Sequence, residues 1–293
     1  MSAEVLVLGC SGQLARELER LGAPPGLQLA FAGRERLDLM RRDPGELTRA
    51  LKPRAVINAA AYTRVDEAER DPAPALRLNR DVPAALARAC AEARIPLVHI
   101  STDYVFDGEK GEPYVEADPA APLNVYGRSK AEGEAAVLQA GGPAVVIRTS
   151  WLFGAFGANF VKTMLNLARD RDEVAVVADQ FGRPTWARDC AAGALRAAQA
   201  LIEGELSGAE LFHLAGEGDA AWADLAEAAL EESAARGGPS AQVRRITTAE
   251  RGAPARRPAD SRLDCARIAR VLQQPSRPWR EGLKASFGEL ERS

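Results

Sequence analysis

Glu4-Val-Leu-Val-Leu8 is a short apolar run that passes straight into Gly9-Cys-Ser-Gly12-Gln-Leu-Ala15 and leaves as Arg16-Glu-Leu-Glu-Arg-Leu21. A strand, a glycine turn and a helix in that order constrain the fold more than any other stretch of the chain. The glycines permit a tight turn and close backbone approach. The helix amino terminus then offers free N–H groups and a positive dipole end to a pyrophosphate. The spacing is Gly-x-x-Gly-x-x-Ala, and Ala15 is small enough for close helix–sheet packing where a third glycine is common. The start of the chain therefore reads as dinucleotide-binding, with Gly9 and Gly12 at the turn.

The pattern continues in the same style. Residues 27–32 read as a second strand and 44–51 as a helix. A third buried strand is expected over 55–61, ending in small residues beside which a cofactor can pass. A helix is expected over 73–93, with Asn79 inside it and a break or kink at Pro83. Residues 95–100 read as the central strand, 108–124 as loop, 126–139 as helix and 144–148 as strand. Strands alternating with helices, with polar motifs at the strand ends, predict an α/β fold with a doubly wound, Rossmann-type parallel sheet over residues 1–150. After Trp151 the texture changes. Helices are expected over 159–171, 189–202, 222–235, 265–272 and 279–290, and strands over 173–178, 210–215 and 242–246. Residues 151–293 read as a smaller α+β substrate domain, of which about 186–203 packs back on the first.

Chemistry concentrates between Ser101 and Lys130. Tyr126 and Lys130 stand four residues apart at the start of a helical pattern, which puts phenol and ammonium on one face. The ammonium is expected to favour the phenolate and lower its pKa. The hydroxyls of Ser101 and Thr102, at the end of the central strand, are placed to hold a carbonyl oxygen beside that phenol. This is a proton-delivery site for a carbonyl being reduced or an alcohol being oxidised. The competing reading is a surface helix with a packed tyrosine and a solvated lysine.

The second strand speaks to the choice of cofactor. In NAD-selective folds an acidic residue ends this strand and binds the ribose 2′-hydroxyl. Here it ends in Gly33-Arg34, and a guanidinium suits a 2′-phosphate. The reading is NADPH preferred, with NADH as the alternative, Arg34 turned inward and Glu35 in solvent.

Composition excludes several classes. A net charge of −3 leaves no electrostatic footprint for nucleic acid or an anionic membrane. Cys10, Cys90, Cys190 and Cys265 lack paired spacing, and with two histidines they suggest reduced thiols of a cytoplasmic protein and no metal site. No run approaches the roughly 20 apolar residues of a membrane span, and no signal peptide is expected ahead of a motif that starts so near Met1.

The chain resembles the extended short-chain dehydrogenase/reductases, and among them it is similar to the dTDP-4-dehydrorhamnose reductase family. The resemblance rests on Gly9-x-x-Gly12-Gln-Leu, Asn58-Ala-Ala-Ala-Tyr-Thr-x-Val-Asp66, Ser101-Thr-Asp-Tyr-Val-Phe-Asp-Gly108, Tyr126-Gly-x-Ser-Lys130, Arg148-Thr-Ser-Trp151, Asp179-Gln-x-Gly-x-Pro-Thr185 and Arg257-Pro-x-x-Ser261. These segments span almost the whole chain. The resemblance implies that NAD(P)H reduces the 4-keto group of dTDP-4-dehydro-L-rhamnose to give dTDP-L-rhamnose. Tyr126 would protonate the oxygen, Lys130 would bind the nicotinamide ribose, and Thr102 would hold the oxygen under attack. The family's cofactor contacts fall on Gly12, Gln13, Leu14, Asp38, Leu39, Ala61, Tyr62, Thr63, Tyr126 and Lys130. Its sugar contacts fall on Val65, Thr102, Asp103, Tyr126 and Trp151.

Plainer readings stand beside these roles. Trp151 suits core or hinge packing, Asp103 a turn cap, Asp38 a helix or loop cap, and the arginines of 256–262 a solvated face rather than a diphosphate site. Some family members hold Mg²⁺ at a homodimer interface with glutamates. Glu17 matches one such position, but Arg188 stands where an acid is required, so the metal is not carried over. Two other functions remain open. One is a sister reductase of another dTDP-4-keto-6-deoxy sugar. The other is a cofactor-binding regulatory subunit, resembling that of methionine adenosyltransferase, which works by binding a partner.

Overall fold

The computed structural model describes residues 4–290. In chain order the first half holds β1 (Glu4–Leu8), α1 (Gln13–Leu21), β2 (Gln28–Ala32), α2 (Pro44–Leu51), β3 (Ala55–Asn58), α3 (Val65–Arg70), α4 (Pro72–Leu76), α5 (Val82–Ala93), β4 (Leu97–Thr102), α6 (Val125–Gln139) and β5 (Ala144–Thr149). The second half holds β6 (Leu152–Phe153), α7 (Phe160–Leu167), β7 (Glu173–Val177), β8 (Phe181–Gly182), β9 (Thr185–Trp186), α8 (Ala187–Glu203), β10 (Ala209–His213), β11 (Ala220–Ala221), α9 (Trp222–Ala235), β12 (Gln242–Ile246), α10 (Thr248–Arg251), α11 (Ala266–Val271) and α12 (Trp279–Leu290).

Six strands form one parallel sheet in the order β10-β5-β4-β3-β1-β2. Its strands are apolar on both faces, as a sheet covered on both sides must be. Val5, Val7, Val98, Val145 and Ile147 face a core shared with α1 and α8. Leu6, Leu8, Val56, Leu97 and Val146 face the opposite core, shared with α2, α5 and α6. The winding reverses between β1 and β3, so a crevice opens at the carboxyl ends of those strands. The strand read as part of the second half, Ala209–His213, lies at the edge of this sheet beside β5. It reaches that edge through α8, whose buried Ala, Cys and Gly residues let the helix lie close on the sheet.

Three elements differ from the sequence reading for identifiable reasons. The helix expected over 73–93 is interrupted by a π-helical turn, Arg77–Asp81. Pro83 lacks the N–H that would complete an α-helical bond to the carbonyl of Asn79, so α5 restarts with the proline in its first turn, where it is tolerated. The third strand stops at Asn58 because its side chain accepts the N–H of Ala60 and turns the chain out of the sheet. Finally, α7 ends at Leu167 rather than 171. After Ala168 the run Arg169-Asp170-Arg171-Asp172 is exposed and has nothing apolar to bury.

The second half packs aromatic side chains against the end of the sheet. Trp151, Phe153, Trp186, Trp279 and Phe287 share one cluster with residues of α9 and α12. A parallel pair, β7 with β12, lies beyond it.

Candidate active site

A cleft of about 530 Å³ opens at the carboxyl edge of the sheet, and a second cavity of about 230 Å³ adjoins it. The two share Ser11, Gly12, Ala59, Ala60 and Ala61, so they form one continuous crevice over β1 and β3. Gly9 turns with φ 100°, a left-handed conformation that favours glycine, and packs against the backbone of Ala60, which an added Cβ would touch at 3.4 Å. Gly12 is the N-cap of α1 and supplies no capping side chain. The first N–H groups of that helix therefore face the crevice unsatisfied, an arrangement that fits the pyrophosphate of a dinucleotide.

The smaller cavity is lined by Gly9, Gly12, Arg34, Asp38, Leu39 and Ala61. Arg34 makes no hydrogen bond or ion pair among the described residues; it is exposed, as Glu35 is, but Arg34 lines the cavity and Glu35 does not. Asp38 is a turn cap that accepts the N–H of Met40 at 3.0 Å, and it also lines the cavity. Tyr62 lines neither space. Its backbone is clamped by Asn79, whose amide accepts from Tyr62 N at 2.8 Å and donates to Tyr62 O at 3.0 Å, and its hydroxyl turns to Glu67. The same Asn79 amide donates to Ser129 of α6 at 3.0 Å. The π-helical turn thus ties the loop after β3 to the helix that carries Tyr126 and Lys130.

The larger cleft brings together Gln13, Leu14, Thr63, Val65, Thr102, Asp103, Tyr126, Lys130 and Trp151. Thr102 ends β4, and α6 begins beside it at the N-cap Asn124, which accepts from Gly127 N at 2.7 Å. Glycine is required after the tyrosine: a Cβ on Gly127 would lie 2.1 Å from the carbonyl oxygen of Tyr104. Lower on α6, buried Glu134 holds Arg148 of β5 through contacts of 2.7 to 3.1 Å. That pair fixes the helix against the sheet one turn below Lys130.

Electrostatics depart from the sequence expectation. Burial pushes the Tyr126 phenol up to about 12, against a hydrogen bond with Thr102 that pulls it down. The buried Lys130 amine is pushed down to about 8 by desolvation, with Glu134 opposing. Its Nζ donates to the carbonyl of Ile100 at 2.5 Å. Both groups sit in the same low-dielectric space, so the cost of desolvating each charge outweighs their mutual effect.

At the far end of the cleft Trp151 stacks on Trp222, with ring centroids 3.6 Å apart and planes at 8°. Trp151 holds φ 48°, a left-handed conformation that a bulky residue rarely adopts. Phe160 leans on Trp222, and all three aromatic residues line the cleft. Trp151 is therefore both a cluster member and a wall of the cavity. The two ends are joined by Gln13, which donates to Leu152 O at 3.4 Å and accepts from Asn159 at 3.1 Å. Trp222, Phe160 and Asn159 lie in no motif recognisable from sequence, and only the fold brings them to the site.

The arginine-rich segment is a strap rather than a free basic face. Arg257 forms a bidentate pair with Asp66 at 3.0 and 2.9 Å, and Arg262 pairs with Asp260 and Asp219. The same segment accepts Asn124 Nδ2 at the carbonyl of Arg256 and sends the Ser261 hydroxyl to Asp103 at 2.6 Å.

The residues matching the glutamate metal position do not fit Mg²⁺. Arg188 lies between Glu17, at 3.1 Å, and Glu289, at 2.5 Å, so a guanidinium occupies the place between the carboxylates. Among the described residues no group of three or more His, Cys, Asp or Glu side chains is arranged to hold a metal ion. No helix among them is long and apolar enough to cross a membrane.

A doubly wound sheet, an uncapped helix terminus over the switch point and a Thr–Tyr–Lys set beside it define a Rossmann-type, dinucleotide-dependent oxidoreductase. Comparison narrows the class. The family model described as the RmlD substrate binding domain matches residues 3–292, and the chain belongs to that family. It is 42% identical over 282 residues to a dTDP-4-dehydrorhamnose reductase of Sinorhizobium fredii, covering 95% of this chain and 94% of the relative. It is 40% identical over 290 residues to a probable dTDP-4,6-dihydroxy-2-methyloxan-3-one 4-ketoreductase of Streptomyces antibioticus, covering 97% and 95%. The crystal structure of dTDP-4-dehydrorhamnose reductase from Bacillus anthracis in complex with NADP superposes with a TM-score of 0.88 at 34% identity, covering 99% of this chain and all of the other.

Proposed function

We propose that this protein uses NADPH to reduce the 4-keto group of dTDP-4-dehydro-L-rhamnose, giving dTDP-L-rhamnose. The observation that carries the reading is the meeting of Thr102, Tyr126 and Lys130 in one cleft, continuous with the uncapped N-terminus of α1 at one end and the Trp151–Trp222 wall at the other. Residues 1–150 hold the dinucleotide in this reading and bring Val65, Thr102, Asp103 and Tyr126 to the sugar, and the second half adds the aromatic wall of Trp151, Phe160 and Trp222. NADPH supplies the hydride. As the hydride arrives at the carbonyl carbon, the π pair moves onto oxygen, and the Tyr126 phenol gives that oxygen its proton. Reduction consumes the neutral phenol, so a tyrosine held near 12 by burial is fully in the needed form at neutral pH, and an alkoxide is basic enough to take its proton. Lys130 stays mostly protonated at neutral pH despite its depressed pKa. It holds the nicotinamide ribose and supplies positive charge as the phenolate forms. Thr102 donates to the same oxygen.

Two other readings set the outcomes of the test. The similarity to a ketoreductase with a different sugar favours keeping a sister substrate in the assay. The regulatory-subunit reading predicts no turnover at all. NADPH oxidation is followed with dTDP-4-dehydro-L-rhamnose and with other dTDP-4-keto-6-deoxy sugars, and the product is identified by NMR. Steady turnover to the rhamno product supports the proposal. Turnover of another sugar alone replaces it with the sister reductase, and inertness with all of them overturns it.

A further inference from the structure

Thr102 has one hydroxyl proton and two claims on it. In the structure that proton goes to Asp103 Oδ1 at 3.0 Å, while Thr102 Oγ1 accepts the N–H of Tyr104 at 3.2 Å. Asp103 Oδ2 accepts from Ser261 at 2.6 Å. Asp103 is 2% exposed, and no lysine or arginine bonds to it among the described residues. An ionised Asp103 is therefore a buried acceptor held by the Ser261 and Thr102 hydroxyls and by the backbone N–H groups of Asp103 and Tyr104, with no cation beside it among those residues. If Thr102 turned its proton toward a substrate oxygen, that buried carboxylate would lose a hydroxyl donor, which is costly for a charged group.

We infer that Asp103 acts protonated, as a positioning residue that donates its own proton to Thr102 Oγ1 and so frees the Thr102 proton for the keto oxygen. The inference rests on the proposed reduction at this site. The proton count closes: the acid O–H satisfies the Thr102 lone pair, Ser261 still donates to the other carboxyl oxygen, and Thr102 gains a donor bond to the developing alkoxide. Burial supports the protonated form, raising Asp103 to about 7 against the hydrogen bonds from Ser261 and Thr102. The other groups around it do not supply a counter-charge. Tyr104 and Tyr126 are neutral phenols, their rings 5.8 Å apart. Arg257 is committed to Asp66 and to Tyr104. Lys130, which lines the same cleft, is turned to Ile100.

The sign follows directly. Below the Asp103 pKa Thr102 is free to donate; above it the carboxylate recaptures the proton. The rate of the reduction step, read in single turnovers at saturating substrate, is expected to fall with rising pH near 7. The fall approaches the roughly 10²-fold worth of one oxyanion donor. Asp103→Asn, whose amide donates permanently to Thr102 and accepts from Ser261, should keep at least about a tenth of the low-pH rate and lose this alkaline limb, leaving only the titration of Lys130. Ser261→Ala removes a bond that favours the carboxylate and should move the limb to higher pH in a protein that keeps Asp103. Infrared difference spectra of the unmodified protein should show a protonated carboxyl band at pH 6 that is lost by pH 9 and absent from Asp103→Asn. Loss of 10²-fold or more at every pH in a folded Asp103→Asn protein would overturn the inference, because it would mean that the carboxylate itself is needed. Identical pH profiles for the wild type and Asp103→Asn, or an infrared band missing at pH 6, would overturn it as well. If the wild-type protein reduces no dTDP-4-keto sugar, the proposed function fails instead, and the infrared result still reports on Asp103.

Discussion

At the end of the cleft that we assign to the nucleotide, the walls are made by chain turning at strand ends: Gly9 and Gly12 after β1, Arg34 after β2, and Ala59 to Ala61 after β3. Backbone N–H groups and small residues dominate, and each contact lies a few residues from the element that positions it. At the end assigned to the sugar, the walls are side chains from distant parts of the chain. Trp151 follows β5, Trp222 opens α9, and Ser261 reaches Asp103 from the strap. The first kind of site tolerates sequence change around it, since a helix N-terminus and a tight turn suffice. The second kind depends on several long-range contacts forming together, and a single truncation there removes a wall.

The two ends meet at Tyr126, so its removal gives the largest expected effect. Tyr126→Phe should cut turnover by about 10²-fold or more, the usual worth of a general acid. NADPH affinity should barely change, because Lys130 and α1 remain. Near-wild-type turnover in a folded variant would remove the proton-delivery role. Loss of NADPH binding, measured by fluorescence titration, would show that the two ends are not separable as argued.

Trp151→Ala probes the sugar end alone. A buried tryptophan anchor is worth about 2 kcal/mol or more, so kcat/KM for the nucleotide sugar should fall roughly 30-fold. NADPH affinity should stay intact. A variant that melts earlier but keeps its kinetics would assign Trp151 to packing only.

The smallest effect belongs to the nucleotide end. Arg34→Ala should erase a preference for NADPH over NADH of roughly tenfold, about one charge-assisted hydrogen bond. It should do so by weakening NADPH alone. Equal kcat/KM for the two cofactors in the wild type, or equal weakening of both in the variant, would show that Arg34 does not read the 2′-phosphate.

The amino-acid sequence by itself determined the alternation of strands and helices, the glycine turn at β1 and the Tyr126–Lys130 spacing. These are local matters: periodicity, turn chemistry and the i, i+4 geometry of a helix act over a few residues. It did not determine the pKa of Tyr126 or Lys130, because the burial that shifts both comes from packing α6 under β4 and the strap. Only the tertiary structure decided that Ala209–His213 completes the first sheet, that Asn79 leaves a π-helical turn to clamp Tyr62 and Ser129, and that Trp151 meets Trp222. It also decided that Arg257 and Ser261 form a strap on Asp66 and Asp103 rather than a solvated face. The physical reason is shared: each of these contacts joins residues far apart in the chain, whose pairing carries no local pattern and is chosen only when the sheet, its helices and the second half bury their apolar faces together.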